Sequence, residues 1–183
     1  PVPMLNILNG GAHAASNVDV QEFMVMPHGF DTFEEGLRAG VETYHSLKQE
    51  LKADGLLGGV GDEGGFAPNL PANEEGLKYM VRAIEGAGYS TEEMGIALDV
   101  AATEFYHDDK YHMDSKAISS EELANIYAGW LDDYPILSIE DGFAEDDWRG
   151  WSNFTKAEGG RVQIVGDDLF VTQAERLAQG IEM

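Results

Sequence analysis

The stretch Gly58 to Pro68 reads Gly-Gly-Val-Gly-Asp-Glu-Gly-Gly-Phe-Ala-Pro, with two acids inside a glycine frame. Glycine lets backbone approach a ligand closely and take angles that other residues avoid. Asp62 and Glu63 can therefore be carried close to something small. The spacing Gly59-x-Gly61-x-x-Gly64 formally matches the dinucleotide fingerprint. That fingerprint needs a strand before it and a helix after it. Here Ala53-Asp54-Gly55 precedes, Pro68 follows, and the two acids would repel a pyrophosphate. A glycine-rich stretch taken alone reads as a long surface turn. This one gains weight from a second set of acids further along the chain.

Three apolar, strand-like runs end in carboxylates: Ile96 to Val100 at Asp99, Ile136 to Asp141 at Glu140-Asp141, and Val162 to Asp168 at Asp167-Asp168. Helical segments between them make βα units, which imply a parallel sheet. Right-handed crossovers put the C-terminal ends of such strands on one edge. Ligand sites of α/β sheets and barrels form at that edge. Period-two alternation then sorts the acids. Ile96 and Leu98, Leu137 and Ile139, and Val162 and Ile164 face the helices. Ala97 and Asp99, Ser138 and Glu140, and Gln163, Val165 and Asp167 face inward. Asp141 and Asp168 fall on the other side and should matter less. Three converging carboxylates cannot all stay charged without a cation. With no cysteine and no paired-histidine motif, their hard oxygens favour Mg²⁺ or Mn²⁺. A single strand-end acid would read as a cap of the next helix, a role for which Asp146 and Thr172 are better placed. Three in register favour a metal.

The elements that must position these acids follow from the same periodicities. Met4 to Asn9 and Asp19 to Pro27 read as two strands joined by a short loop holding His13, which allows an antiparallel pair. In the second strand Gln21, Phe23 and Val25 would share one side, Glu22 and Met24 the other. Thr32-x-x-Glu35 is a capping box opening a helix to about Lys52, with Leu37, Val41, Tyr44, Leu47 and Leu51 at helical spacing. Asn73 caps a second helix that Gly88 stops. His107 to Met113 suggests a small hairpin, and Ser119-x-x-Glu122 caps a third helix. Asp146 to Ala157 reads as a fourth, and Thr172-x-x-Glu175 caps a last one. The 183 residues suffice for one domain with a real core. A net charge of −23 argues against nucleic acid and anionic membranes as partners. No apolar run reaches the roughly 20 residues of a membrane span.

Taken in order, the segments Asn9-Gly10-Gly11-Ala12-His13-Ala14, Gln21-Glu22-Phe23-Met24, Gly61 to Asn69, Ala97 to Ala101, Ser138 to Asp141 and Gly166 to Leu169 resemble enolase, phosphopyruvate hydratase. The resemblance covers essentially the whole chain. It implies an α/β fold, an incomplete TIM-type barrel of enolase topology: an antiparallel ββ opening, two helices, then βα units, with about five of eight strands. It also implies roles. Asp99, Glu140 and Asp167 match magnesium ligands. Glu63 matches the acid that protonates the leaving hydroxyl, Glu22 its carboxylate partner, and His13 and Gln21 positions that contact substrate. The substrate pair would be 2-phosphoglycerate and phosphoenolpyruvate, the location cytoplasmic, and the full-length parent a homodimer or higher homo-oligomer. Like-charge repulsion between Glu22 and Glu63 would favour a proton shared by the pair.

The chain is short for this family. Residues 1–183 are expected to be a partial barrel domain, without the N-terminal domain and without the last strands that supply the lysine base. Lys48, Lys52, Lys78, Lys110, Lys116 and Lys156 all sit on predicted helices or loops. Five strands would leave two sheet edges open, so the chain alone is expected to be inactive and loosely packed or self-associating. Two other readings stay open: another magnesium-dependent dehydratase of the enolase superfamily, or a non-catalytic acidic metal-binding module.

Overall fold

The computed structural model describes residues 1–183. Strands β1 (Leu5–Asn9) and β2 (Glu22–Met26) open the chain as an antiparallel pair. Helices α1 (Phe33–Ala53) and α2 (Asn73–Gly86) follow, and β3 (Gly95–Asp99) then lies antiparallel to β2. The excursion after β3 is larger than the hairpin expected from sequence. It forms a separate antiparallel sheet of β4 (Tyr106–His107), β5 (Lys110–Met113) and β6 (Lys116–Ile118). The chain continues through α3 (Ser120–Asp133), β7 (Ile136–Glu140), α4 (Trp148–Glu158), β8 (Gln163–Val165) and α5 (Ala174–Glu182). The main sheet runs β1-β2-β3-β7-β8, with β3, β7 and β8 parallel. This is the predicted incomplete barrel topology, five strands left open. One edge is less bare than predicted: Phe66 bridges to Leu8, exchanging backbone bonds with Ile7 and Asn9 beside β1. No helix is long and apolar enough to cross a membrane.

The outward residues of the strands, among them Phe23, Val25, Ile96, Leu98 and Ile139, join one buried apolar cluster with Leu47 and Leu51 of α1, Leu77 and Met80 of α2 and Tyr127 of α3. Burial of this surface drives the folding of the sheet against its helices. The apolar stripe read on α1 is only half right. Leu47 and Leu51 are buried, and Tyr44 stacks on Phe66 at 4.5 Å between centroids. Leu37 and Val41 are exposed instead. The buried face of that half is Gly36, Ala39, Gly40 and Thr43. A Cβ on Gly40 would lie 2.6 Å from Leu5 Cδ1, so the helix meets β1 too closely for large side chains.

Thr32 and Ser119 cap α1 and α3 as predicted, the latter with a full capping box. The other caps differ. Asp147, not Asp146, accepts the Gly150 N–H at the start of α4, and α5 starts after Gln173 rather than Thr172. Asn73 is not a cap but the first residue of α2, and its fully buried amide is used elsewhere. Asn73 Oδ1 accepts the backbone N–H groups of Asp19 (2.8 Å) and Val20 (3.0 Å). Its Nδ2 donates to Asp19 Oδ2 and Asp114 Oδ1, each at 2.7 Å. One amide thus ties α2 and the β5–β6 turn to the segment entering β2. Removing it leaves buried N–H groups without acceptors, which costs about 1–3 kcal/mol for each such group. Asn73→Ala should therefore lose at least about 2 kcal/mol of unfolding free energy in a urea titration. A change within about 0.5 kcal/mol, typical of an inert surface site, would contradict this role.

Candidate functional site

Register builds the site. Glu22 on β2 lies opposite Asp99 on β3, Asp99 lies beside Glu140 on β7, and Glu140 lies beside Val165 on β8. Cross-strand partners project to the same face of a sheet. Glu22, Asp99 and Glu140 therefore stand in one row at the rim, as alternation predicted for the latter two. One irregularity restores that alternation. Ile96 pairs with Ile136 but Ala97 pairs with Ser138, so Leu137 is an extra residue in β7. The expectation that Leu137 shares a core face with Ile139 is corrected accordingly: Ile136 occupies the core and Leu137 does not. Asp167 lies two residues beyond the end of β8 and is exposed.

Gln21 departs from the predicted alternation. It precedes β2 rather than sharing the face of Phe23 and Val25, and its Nε2 donates to Asp99 Oδ2 at 3.0 Å. Strand alternation does not bind a residue outside the ladder. The Ala101 N–H also donates to Asp99, at Oδ1 (3.1 Å).

The glycine-rich loop is fastened over the β1–β2 end. Gly61 N–H donates to the Gly65 carbonyl at 2.7 Å, and Asp62 N–H donates to the His13 carbonyl at 3.0 Å. Phe66 N–H donates to Ile7 O (2.9 Å), and Asn9 N–H to Phe66 O (2.8 Å). Side chains are excluded where the loop touches β1. A Cβ on Gly61 would fall 2.7 Å from Asn9 Cβ, and one on Gly65 would fall 2.4 Å from Asn9 Oδ1. The result places donor atoms of His13, Glu22 and Glu63 all within 4.8 Å of one another. His13 Nδ1 lies 3.2 Å from Glu22 Oε1, near enough for an ion pair, but makes no aligned hydrogen bond. Asp99, Glu140 and Asp167 share the rim without reaching that mutual closeness.

Crowding shows in the proton affinities. Burial, then the charges of Asp99, Asp141, Asp167 and Glu22, push Glu140 up to about 7. Burial pushes Asp99 up to about 6, with the Gln21 hydrogen bond opposing and the Glu22 charge adding. Glu22 is raised by burial, with His13 opposing and Glu63 adding. Carboxylates that resist ionisation, first through burial and then through one another's charge, form an all-oxygen donor set lacking a countercharge. Asp99 and Glu140, with the charge of Asp167 acting on Glu140, fit a hard divalent cation on that ground.

Alternation missed one residue. Asp141 is 4% exposed, and its carboxylate accepts the backbone N–H groups of Asp167 (3.1 Å), Asp168 (2.9 Å) and Leu169 (3.4 Å). Burial pushes it up to about 6. A signal was present: an acid assigned to the apolar side of a strand needs partners, since burying it alone is costly.

A family model described as the enolase C-terminal TIM barrel domain matches residues 1–183. The chain is 57% identical over 185 aligned residues to an enolase from a Nitratiruptor species. That alignment covers all of this chain and 44% of the relative, so the chain spans less than half the length of the protein it matches.

The crowded acids make folding sensitive to pH in metal-free solution. Asp99 and Glu140 hold their protons more tightly folded than unfolded. Below about pH 4 both states are protonated and the difference vanishes. From about pH 4 to about 7 the unfolded chain sheds protons that the folded chain keeps, so stability falls across that window. The melting temperature should fall from about pH 4 to about pH 7, and Glu140→Gln should flatten the fall. An unaltered slope in that variant would show that Glu140 carries no such burden.

Proposed function

Because the chain belongs to the enolase C-terminal TIM barrel family, we propose that it is part of a phosphopyruvate hydratase, a glycolytic lyase interconverting 2-phosphoglycerate and phosphoenolpyruvate. The observation that carries this reading is the rim row Glu22, Asp99 and Glu140, with the Glu63 loop closed onto its Glu22 end. The reading brings with it a cytoplasmic location and a homodimeric or larger complete enzyme.

Asp99, Glu140 and Asp167 would hold Mg²⁺. When bound, it supplies positive charge against the negative charge that builds on the substrate carboxylate as the neighbouring proton leaves. Glu63 gives a proton to the departing hydroxide, which is a poor leaving group without a general acid. Glu22, within 4.8 Å of Glu63, is the carboxylate partner of that acid; burial first, then the Glu63 charge, raises the Glu22 proton affinity, with His13 opposing. His13 and Gln21 sit at the same end and are the substrate-contacting positions. Enolase-superfamily sites as a class use a lysine or histidine base. The lysines of this chain lie on α1 (Lys48, Lys52), α2 (Lys78), the small sheet (Lys110, Lys116) and α4 (Lys156), none at the rim. No lysine of this chain is therefore placed to take the substrate proton.

Calorimetry on this chain should give Mg²⁺ or Mn²⁺ binding that weakens in Asp99→Ala, Glu140→Ala and Asp167→Ala; if all three bind like the parent, the ligand assignment is wrong. Purified alone, the chain should make no phosphoenolpyruvate from 2-phosphoglycerate at any Mg²⁺ concentration. In the complete enzyme, Glu63→Gln should cut dehydration by about 10²–10⁴-fold, the usual contribution of a general acid. Exchange of the substrate's α-proton should survive in that variant. Equal loss of exchange and dehydration would remove Glu63 from the leaving-group role.

A further inference from the structure

We propose that Asp141 is a positioning residue, whose buried carboxylate fixes the turn carrying Asp167 and whose backbone ties that turn to the strand ends bearing Asp99 and Glu140. Its consequence for metal binding rests on the reading above. Three sets of contacts meet at this one residue. The Asp141 N–H donates to Val165 O at 3.0 Å, joining β7 to the end of β8. Its carbonyl accepts the Ala102 N–H at 2.9 Å, next to the bond from Val100 N–H to Glu140 O, joining β7 to the turn after β3. Its side chain holds the turn itself: Oδ1 accepts from Asp167 and Leu169, and Oδ2 accepts from Asp168.

The chemistry calls for a carboxylate here. Both oxygens accept, and no lysine or arginine pairs with this side chain. An asparagine would offer one acceptor and turn its NH₂ toward the N–H of Asp168. Asp141 also has φ +44°, a left-handed angle that aspartate, asparagine and glycine tolerate best. Its nearest charges, Asp168 and Asp99, repel it. A residue serving packing alone would be apolar at a site this buried. What the carboxylate achieves is orientation of three successive amides, and so of the exposed Asp167 that begins them. Groups that orient a metal ligand typically change metal affinity by about 10–100-fold when removed.

Two variants keep the left-handed angle: Asp141→Gly removes both acceptors, and Asp141→Asn retains one. Mn²⁺ titration by calorimetry should show a dissociation constant raised about 10–100-fold in Asp141→Gly and by less in Asp141→Asn. In parallel, the amide resonances of Asp167, Asp168 and Leu169 should shift in Asp141→Gly, while those of the β1–β2 end stay in place. Parent-like affinity in Asp141→Gly, with affinity lost in Asp167→Ala, would overturn the proposal and leave the metal assignment standing. If Asp167→Ala itself binds Mn²⁺ like the parent, the metal assignment fails and the amide shifts decide. Unmoved 167–169 resonances would then overturn the positioning role, and displaced ones would uphold it.

Discussion

Carboxylates of like charge share one rim of the main sheet, and no arginine or lysine stands beside Glu22, Asp99, Glu140 or Asp141 to neutralise them. The cations of the chain are spent elsewhere. Arg82 joins α1 to α2 through Glu50 and Asp54, and Arg161 pairs with Asp132 and Glu158. The rim is therefore held in place by the backbone ladder and by the apolar core beneath it, not by lysine or arginine ion pairs. The same strands whose inward residues repel have outward residues, such as Leu98 and Ile139, that are almost fully buried. One face of each strand supplies the cohesion that the other face opposes. Repulsion held in this way favours any species that brings positive charge or a shared proton to the rim.

The second constraint is closeness of backbone to backbone. Glu63 reaches Glu22 only because the glycine-rich loop lies against β1, with Gly61 and Gly65 in contact with Asn9. Other ties keep the flanking segments in step. Asn17 and Leu70 exchange hydrogen bonds of 2.7 and 2.8 Å, and Asn73 holds Asp19 and Val20. The loop after β1, the entry to β2 and the segment leading into α2 are thus tied together. His13, Glu22 and Glu63 lie at the β1–β2 end of the sheet, away from the open edge at β8.

Much of this was legible in the sequence, for physical reasons. Strict period-two patterning separated Asp99 and Glu140 from their outward neighbours, because one face of each strand packs against helices. The Thr32 and Ser119 caps were legible because capping is a local event within four residues. What was not legible depends on partners distant in sequence. Leu37 and Val41 read as core until Leu5 is seen to approach α1. Asn73 reads as a cap until Asp114, 41 residues away, is seen to occupy it. The extra residue Leu137 changes a register that no composition rule records. Asp141 was assigned to the less important side because alternation says where a side chain points, not what comes to meet it.

The two acid groups at the rim are built differently. Glu22 and Glu63 are brought close together, with His13 beside them. Three carboxylates approaching a common point would repel more steeply as they closed, and no imidazole moderates them. Asp99, Glu140 and Asp167 accordingly stand apart, on three different strand ends, within reach of one another's charge. A loop can deliver a single acid, as the glycine-rich loop does. Three acids on three strands require the strand ends themselves to be fixed in common, and a parallel sheet offers no hairpin at that end to do so. Asp141, at the end of β7, meets the requirement from inside the protein: its carbonyl binds the turn after β3, and its N–H and carboxylate bind the end of β8 and the turn that follows.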